Sequence, residues 1–234
     1  MAATPRYALY VAPRPETALA LFGARWLGWD LDRGQVVDTP ETAGLSSALH
    51  EAVTAEPRRY GFHATLKAPF RLAEGATEGD LIGAAASFAA ERAPLTAAPL
   101  RFGPLAGFLV FTPGEWSPRL HDLAADCVTA LDGFRAPLTE AELAKRRRAG
   151  LSATQETLLA RWGYPYVMGE FRFHMTLTGS LESEIRAQVG DALQPKVRAL
   201  LDDPLIVDDL ALCVEPAPTA GFRVLRRFPL GRHG

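Results

Sequence analysis

The chain has 234 residues, 48% of them hydrophobic, with 25 Lys and Arg against 27 Asp and Glu and a formal net charge of −2. That content suffices for a large core, and the near-neutral charge argues against long nucleic acid as the main partner, since such binding rests on neutralising many phosphates. Cys127 and Cys213 are too few for a disulfide framework or a Cys-type zinc site, and no apolar run reaches bilayer length or forms a leader, so a cytoplasmic protein without a membrane partner is expected.

In chain order, Arg6 to Val11 reads as a strand and Pro15 to about Leu27 as a helix with Pro in its first turn. A polar loop runs to about Thr42. A strand from about Tyr60 to Lys67 ends at Pro69, and Thr77-Glu78-Gly79-Asp80 has the form of a capping signal for a helix reaching about Arg92. A hairpin follows, Leu100 to Phe102 and Phe108 to Phe111, turning through Gly103-Pro104 and Gly107. Ser117-Pro118 starts a helix to about Leu131, and Thr139 with Glu142 and Ser152 with Gln155 form capping boxes for two more. The Lys145-Arg146-Arg147-Arg148 run could supply a local cluster for a small phosphorylated ligand, but placed after Glu140 and Glu142 in a helix it reads rather as a solvated face. A second strand, about Glu170 to Thr178, precedes a helix with Ile185, Val189 and Leu193 on one face, which Pro195 should kink or split. Leu205 to Val214 and Phe222 to Phe228 close the chain as a hairpin.

Two of these strands repeat each other: Phe62-His63-Ala64-Thr65-Leu66 and Phe173-His174-Met175-Thr176-Leu177. Successive strand side chains alternate between faces, so each segment sets its His and Thr on one side and its apolar residues on the other. A single His-x-Thr is an ordinary polar strand edge. Two copies, with His50, His121 and His233 lacking the pattern, point to a paired site. Gly107-Phe108-Leu109-Val110-Phe111 and Gly221-Phe222-Arg223-Val224-Leu225 repeat as well, each at a similar distance after its own His. Strand, helix and hairpin thus occur twice, in units of about 58–112 and 168–230. The expected architecture is α+β, one domain over 1–234 with two pseudo-symmetric antiparallel sheets whose motif strands face each other.

Opening a cyclic phosphodiester requires a base to activate water and an acid to protonate the departing alkoxide. Histidine, with a usual pKa of about 6.5, serves either role near neutral pH. The threonine hydroxyls suit the non-bridging phosphate oxygens. Two His with no third ligand beside either motif do not make a zinc site, so no metal or other cofactor is expected. There is no Gly-x-Ser-x-Gly elbow and no Gly-rich nucleotide loop.

The paired motifs resemble those of the two-histidine phosphoesterase superfamily, which includes cyclic nucleotide phosphodiesterases and RNA 2′,5′-ligase-like proteins. The longer strings Arg58 to Phe70 and Glu170 to Thr178, with Arg6-Tyr7-Ala8-Leu9-Tyr10 and Trp162-Gly163-Tyr164-Pro165-Tyr166, are similar to the branch encoded in bacterial phosphonate-utilisation gene clusters. The resemblance implies a bilobal fold with a V-shaped cleft, His63 and His174 as acid and base, and Thr65 and Thr176 as phosphate ligands. A small phosphorylated substrate, a cyclic phosphate of ribose type, is expected from it, and the absence of a ligand set in the chain makes the expected hydrolase metal-independent.

Strand parity extends the candidate site to Lys67, two residues after Thr65, and Arg172, two before His174; Arg59 shares that parity nearer the strand's start. Tyr164 and Tyr166, in a loop before the second motif, suit either core packing or stacking on a sugar or base. Two rival readings stay open: an enzyme acting on RNA 2′,3′-cyclic or 2′,5′-linked ends, which would need a basic track into the cleft, and a protein that binds a phosphorylated metabolite without turning it over. No pattern in the chain specifies an oligomer.

Overall fold

A computed structural model describes residues 4–148 and 150–231. The first half runs β1 (Arg6–Val11), α1 (Ala18–Leu27), β2 (Trp29–Asp30), β3 (Gln35–Val36), α2 (Ser47–Arg58), β4 (Ala64–Phe70), α3 (Glu78–Ala90), β5 (Leu95–Ala97), β6 (Leu100–Leu105) and β7 (Phe108–Pro113). The second runs α4 (Pro118–Ala130), α5 (Glu140–Arg147), α6 (Ala153–Trp162), β8 (Met175–Thr176), α7 (Ser183–Val197), β9 (Leu205–Val207), β10 (Asp209–Glu215) and β11 (Arg223–Pro229). No helix among the described residues is long and apolar enough to cross a membrane. His233 lies outside them.

The class is α+β, built on one antiparallel sheet of seven strands in the order β11-β10-β1-β4-β8-β7-β6. The two sheets expected to face each other are therefore halves of a single sheet. Its motif strands lie side by side, meeting where Ala64 is opposite Met175. The hairpins are exchanged: β6 and β7, which follow the first motif, pair beside the second motif strand, whereas β10 and β11 lie beyond β1 on the side of the first.

Alternation on β1 divides the interior. Leu9 and Val11 join the main core, with Ala64, Leu66, Phe111 and Met175, under helices including α3, α4 and α7. Ala8 and Tyr10 face the other way, into a smaller cluster with Leu31, Ala211, Cys213 and Phe222. Both cysteines are buried and unpaired.

The three capping boxes form as expected, at Thr77 with Asp80, Thr139 with Glu142 and Ser152 with Gln155. α1 starts three residues after Pro15, capped by Thr17, and α7 passes through Pro195 near its end without splitting. The first hairpin turns at Ala106-Gly107, both with positive φ, rather than at Gly103-Pro104. α2 is absent from the sequence reading, since two of the four residues it buries, His50 and Thr54, are polar and leave no apolar stripe.

Candidate active site

Both motif strands are shorter than their sequence pattern. β4 starts at Ala64, after Gly61 takes a φ of 71° and passes so near Leu31 that a Cβ there would lie 2.8 Å from its side chain. β8 is only Met175 and Thr176, although Phe171 and Phe173 upstream still alternate into the core. β8 reaches only Ala64 of β4. Beyond that point β4 has a free edge, where Pro69 can sit without a ladder donor.

Continuing the Ala64–Met175 register by one residue each way sets His63 opposite Thr176 and Thr65 opposite His174. All four side chains line one cleft of about 440 Å³, on the side of the sheet that Tyr10 faces.

The two histidines are held alike. Nδ1 of His63 donates to the Gly61 carbonyl at 2.9 Å, and Nδ1 of His174 to the Arg172 carbonyl at 2.7 Å. A carbonyl only accepts, so the proton sits on Nδ1 and Nε2 is left for chemistry. Nε2 of His63 accepts from the Thr65 hydroxyl at 3.0 Å. The His63 ring stacks on Tyr10, centroids 3.6 Å apart. Burial, reinforced by nearby His174 and opposed by the Gly61 bond, pushes His63 down to about 4.

This shift has a stability consequence with a definite sign. The unfolded chain protonates His63 near its ordinary pKa of about 6.5, and the folded chain near 4. The contribution is thus complete above the unfolded value and is lost as pH falls from there to the folded one. Urea midpoints at pH 7 and pH 4.5 should fall more for the wild type than for His63→Gln. An equal drop would mean that His63 is not held neutral by the fold.

The neighbours expected to grip substrate are mostly elsewhere. Lys67 is buried on the other side of the sheet, its Nζ donating to the Val128 carbonyl at 3.0 Å and lying 3.4 Å from Asp132. Burial lowers it to about 8. The cause is a slip in the β1–β4 register between Tyr7 and Tyr10, which breaks the parity linking Thr65 to Lys67. Arg59 does not line the cleft; its Nε is 2.5 Å from Glu215, a carboxylate only 1% exposed. The exposed Arg172 side chain lines a separate groove with Trp116 and His121, and only its carbonyl serves the site. Tyr164 does line the cleft, as does Tyr166.

The cleft wall also includes the basic residues Arg6, Lys145 and Arg146, the acidic residues Glu56 and Glu142, and Tyr60. Arg6 shares the alternation of Tyr10 on β1, a parity signal available in the sequence, and binds Glu215 at 2.7 Å. Lys145 and Arg146 belong to the run read as a solvated face. Two of its four side chains turn to the cleft, while Arg147 pairs outside with Glu156. His50 is structural, stacked on Trp26 with Nε2 2.8 Å from the Trp26 carbonyl. Among the described residues, no three His, Cys, Asp or Glu side chains gather as a metal-ligand group.

A family model described as "Protein of unknown function (DUF1045)" matches residues 65–223. Two relatives carry the name "Ribose 1,5-bisphosphate phosphokinase PhnN". That of Janthinobacterium sp. (strain Marseille) is 41% identical over 233 residues, covering 98% of this chain and 51% of the relative. That of Laribacter hongkongensis (strain HLHK9) is 40% identical over 224 residues, covering 94% and 51%. The chain thus spans about half the length of the curated relatives it matches. A solved structure described as "Crystal structure of phosphoesterase" aligns over 97% of this chain and 98% of its own, at 12% identity and a TM-score of 0.40.

Proposed function

The chain belongs to the DUF1045 family, and from that footing we propose that it is a metal-independent phosphoesterase that opens a small cyclic phosphodiester with His63 and His174 as its proton-transfer pair. The observation that carries this reading is the matched quartet: two imidazoles, each tied by Nδ1 to the carbonyl two residues before it, and two threonines, all on one cleft.

His63, held neutral by burial, is the base. Its Nε2 takes a proton from water as the water oxygen bonds to phosphorus. His174 is the acid, and its Nε2–H protonates the alkoxide as the phosphorus–oxygen bond breaks, leaving a phosphomonoester. Thr65 and Thr176 donate to the non-bridging oxygens, where charge is held through the displacement. The Thr65 hydroxyl must then turn from His63 to the phosphate. Because the side chains supply acid, base and oxyanion donors, the reaction has no step that calls for a metal.

A ribose-type cyclic phosphate fits two observations. The relatives' name speaks of ribose 1,5-bisphosphate, and this chain, about half their length, has no Gly-x-x-x-x-Gly-Lys-Ser/Thr loop for a kinase reaction. The resemblance to the phosphonate-cluster branch agrees. The exchange of hairpins between units 58–112 and 168–230 supports reading 1–234 as one duplicated, two-lobed domain with a V-shaped cleft.

The test is a panel of ribose and nucleoside cyclic phosphates assayed in EDTA, with products read by phosphorus NMR. Turnover of a ribose cyclic phosphate undiminished by the chelator is expected. Activity that vanishes in EDTA and returns with a divalent ion would replace the mechanism with metal-assisted hydrolysis. Tight binding without turnover would support a metabolite-binding protein instead.

A further inference from the structure

Positive charge in the cleft is gathered at one end, where α5 lies, and the lining carboxylates Glu56 and Glu142 pair with neither Lys145 nor Arg146. α5 buries no residue in the core. It is nonetheless fixed at both ends, by Arg71 on Glu142 at 2.9 Å and by Arg147 on Glu156 at 3.0 Å. The face left between them presents Lys145 and Arg146 to the cleft.

Arg146 is half-buried, its guanidinium carbon 4.8 Å from the centre of the Tyr164 ring, and Tyr164 is itself braced edge-on by Tyr166 at 5.6 Å. Among the described residues neither Lys145 nor Arg146 has a carboxylate oxygen within 4.0 Å. Nearby Glu142 is already taken by Arg71 and by the helix cap. Arg6 shares the single carboxylate of Glu215 with Arg59, so that pair of guanidiniums also leaves charge uncompensated. Burial and Arg6 both lower the proton affinity of Arg146. A half-desolvated guanidinium held over an aromatic ring and lacking an anion is a costly arrangement unless a ligand completes it.

We propose that Lys145 and Arg146, backed by Arg6, form a phosphomonoester subsite, so that the substrate is a cyclic phosphodiester bearing a second, terminal phosphate. The proposal rests on the hydrolytic reading of the His63–His174 pair and names the substrate class of that same cleft. The cyclic ester carries one charge and is met by hydroxyls and imidazoles. The terminal group, close to a dianion at neutral pH, needs the guanidinium fork and the ammonium. Hydrolysis of such a substrate yields a sugar bisphosphate, so the preceding reaction must deliver a cyclic phosphate already phosphorylated at its far end.

The experiment compares ribose 1,2-cyclic phosphate with its 5-phosphorylated form as substrates of the full chain. Wild type should favour the doubly phosphorylated one by on the order of 10²-fold in kcat/KM, the value of one or two charge-assisted hydrogen bonds. Arg146→Gln should bring that ratio close to one, whereas Arg148→Gln, the same charge change two residues along, should leave it intact. Equal use of the two substrates by wild type would overturn the subsite. If neither is turned over, the hydrolytic reading falls, and calorimetry then judges the subsite alone. Ribose 1,5-bisphosphate binding wild type at least about tenfold more tightly than ribose 1-phosphate, with the difference lost in Arg146→Gln, would uphold it. Equal binding would remove it.

Discussion

His63→Ala and His174→Ala should each lower kcat on a cyclic phosphodiester by roughly 10²–10⁴-fold, the usual size of an acid or base contribution. The two act in one proton-transfer cycle, so the double variant should be far less impaired than the product of the single effects. A substrate with a better leaving group should restore much of the rate in His174→Ala, where the acid is missing, and little in His63→Ala, where the base is. Thr65→Val and Thr176→Val should each cost about 1.5–3 kcal/mol of transition-state stabilisation, as a hydroxyl bonded to a charged oxygen does. Rescue of the His63 variant instead would exchange the two roles. Near-normal turnover in either alanine variant would place the chemistry elsewhere.

Phe111→Ala should destabilise the fold by roughly 3–5 kcal/mol, the range for deleting a buried aromatic side chain. Phe111 is fully buried, with the rings of Phe22, Phe62 and Phe102 at 5.9–6.2 Å, and its neighbour across the ladder is Met175. Phe62 and Met175 each adjoin a motif histidine, so the cavity opens directly under the quartet. Urea unfolding should show a lowered midpoint at unchanged slope, and the variant that remains folded should turn over more slowly. A loss below about 1 kcal/mol would mean that this ring is not the keystone of the packing beneath the cleft.

The quartet was legible in the sequence because alternation survives where the two motif strands meet: Ala64 and Met175 go into the core, and the residues beside them go to the cleft. The same rule failed for Lys67, since β4 carries an extra residue opposite the Leu9–Tyr10 step of β1 and nothing local announces it. Arg59 was lost to Glu215, 156 residues away in the chain, a partner that periodicity cannot reveal. The solvated reading of α5 held for Arg147 and Arg148, which are exposed, but not for Arg146, which is half-buried against Tyr164 and, with Lys145, borders the cleft. α2 went unread because half of what it buries is polar: Thr54 bonds back to the His50 carbonyl within the helix, and His50 stacks on Trp26 and reaches its carbonyl, partners that only the folded chain supplies.

The neighbours of β1 have a consequence for how the chain comes to life on the ribosome. β1 pairs with β4 on one side and, on the other, with β10, which emerges some 200 residues after it. Until then one edge of β1 stays open, so closure is slow and the nascent chain is exposed to wrong partners. Glu215 arrives on that late strand, and it is the residue that fixes Arg6 and Arg59. The charge pattern of the cleft is therefore set only once β10 is made, and a chain stalled before β10 would carry both histidine motifs without the carboxylate that arranges their surroundings.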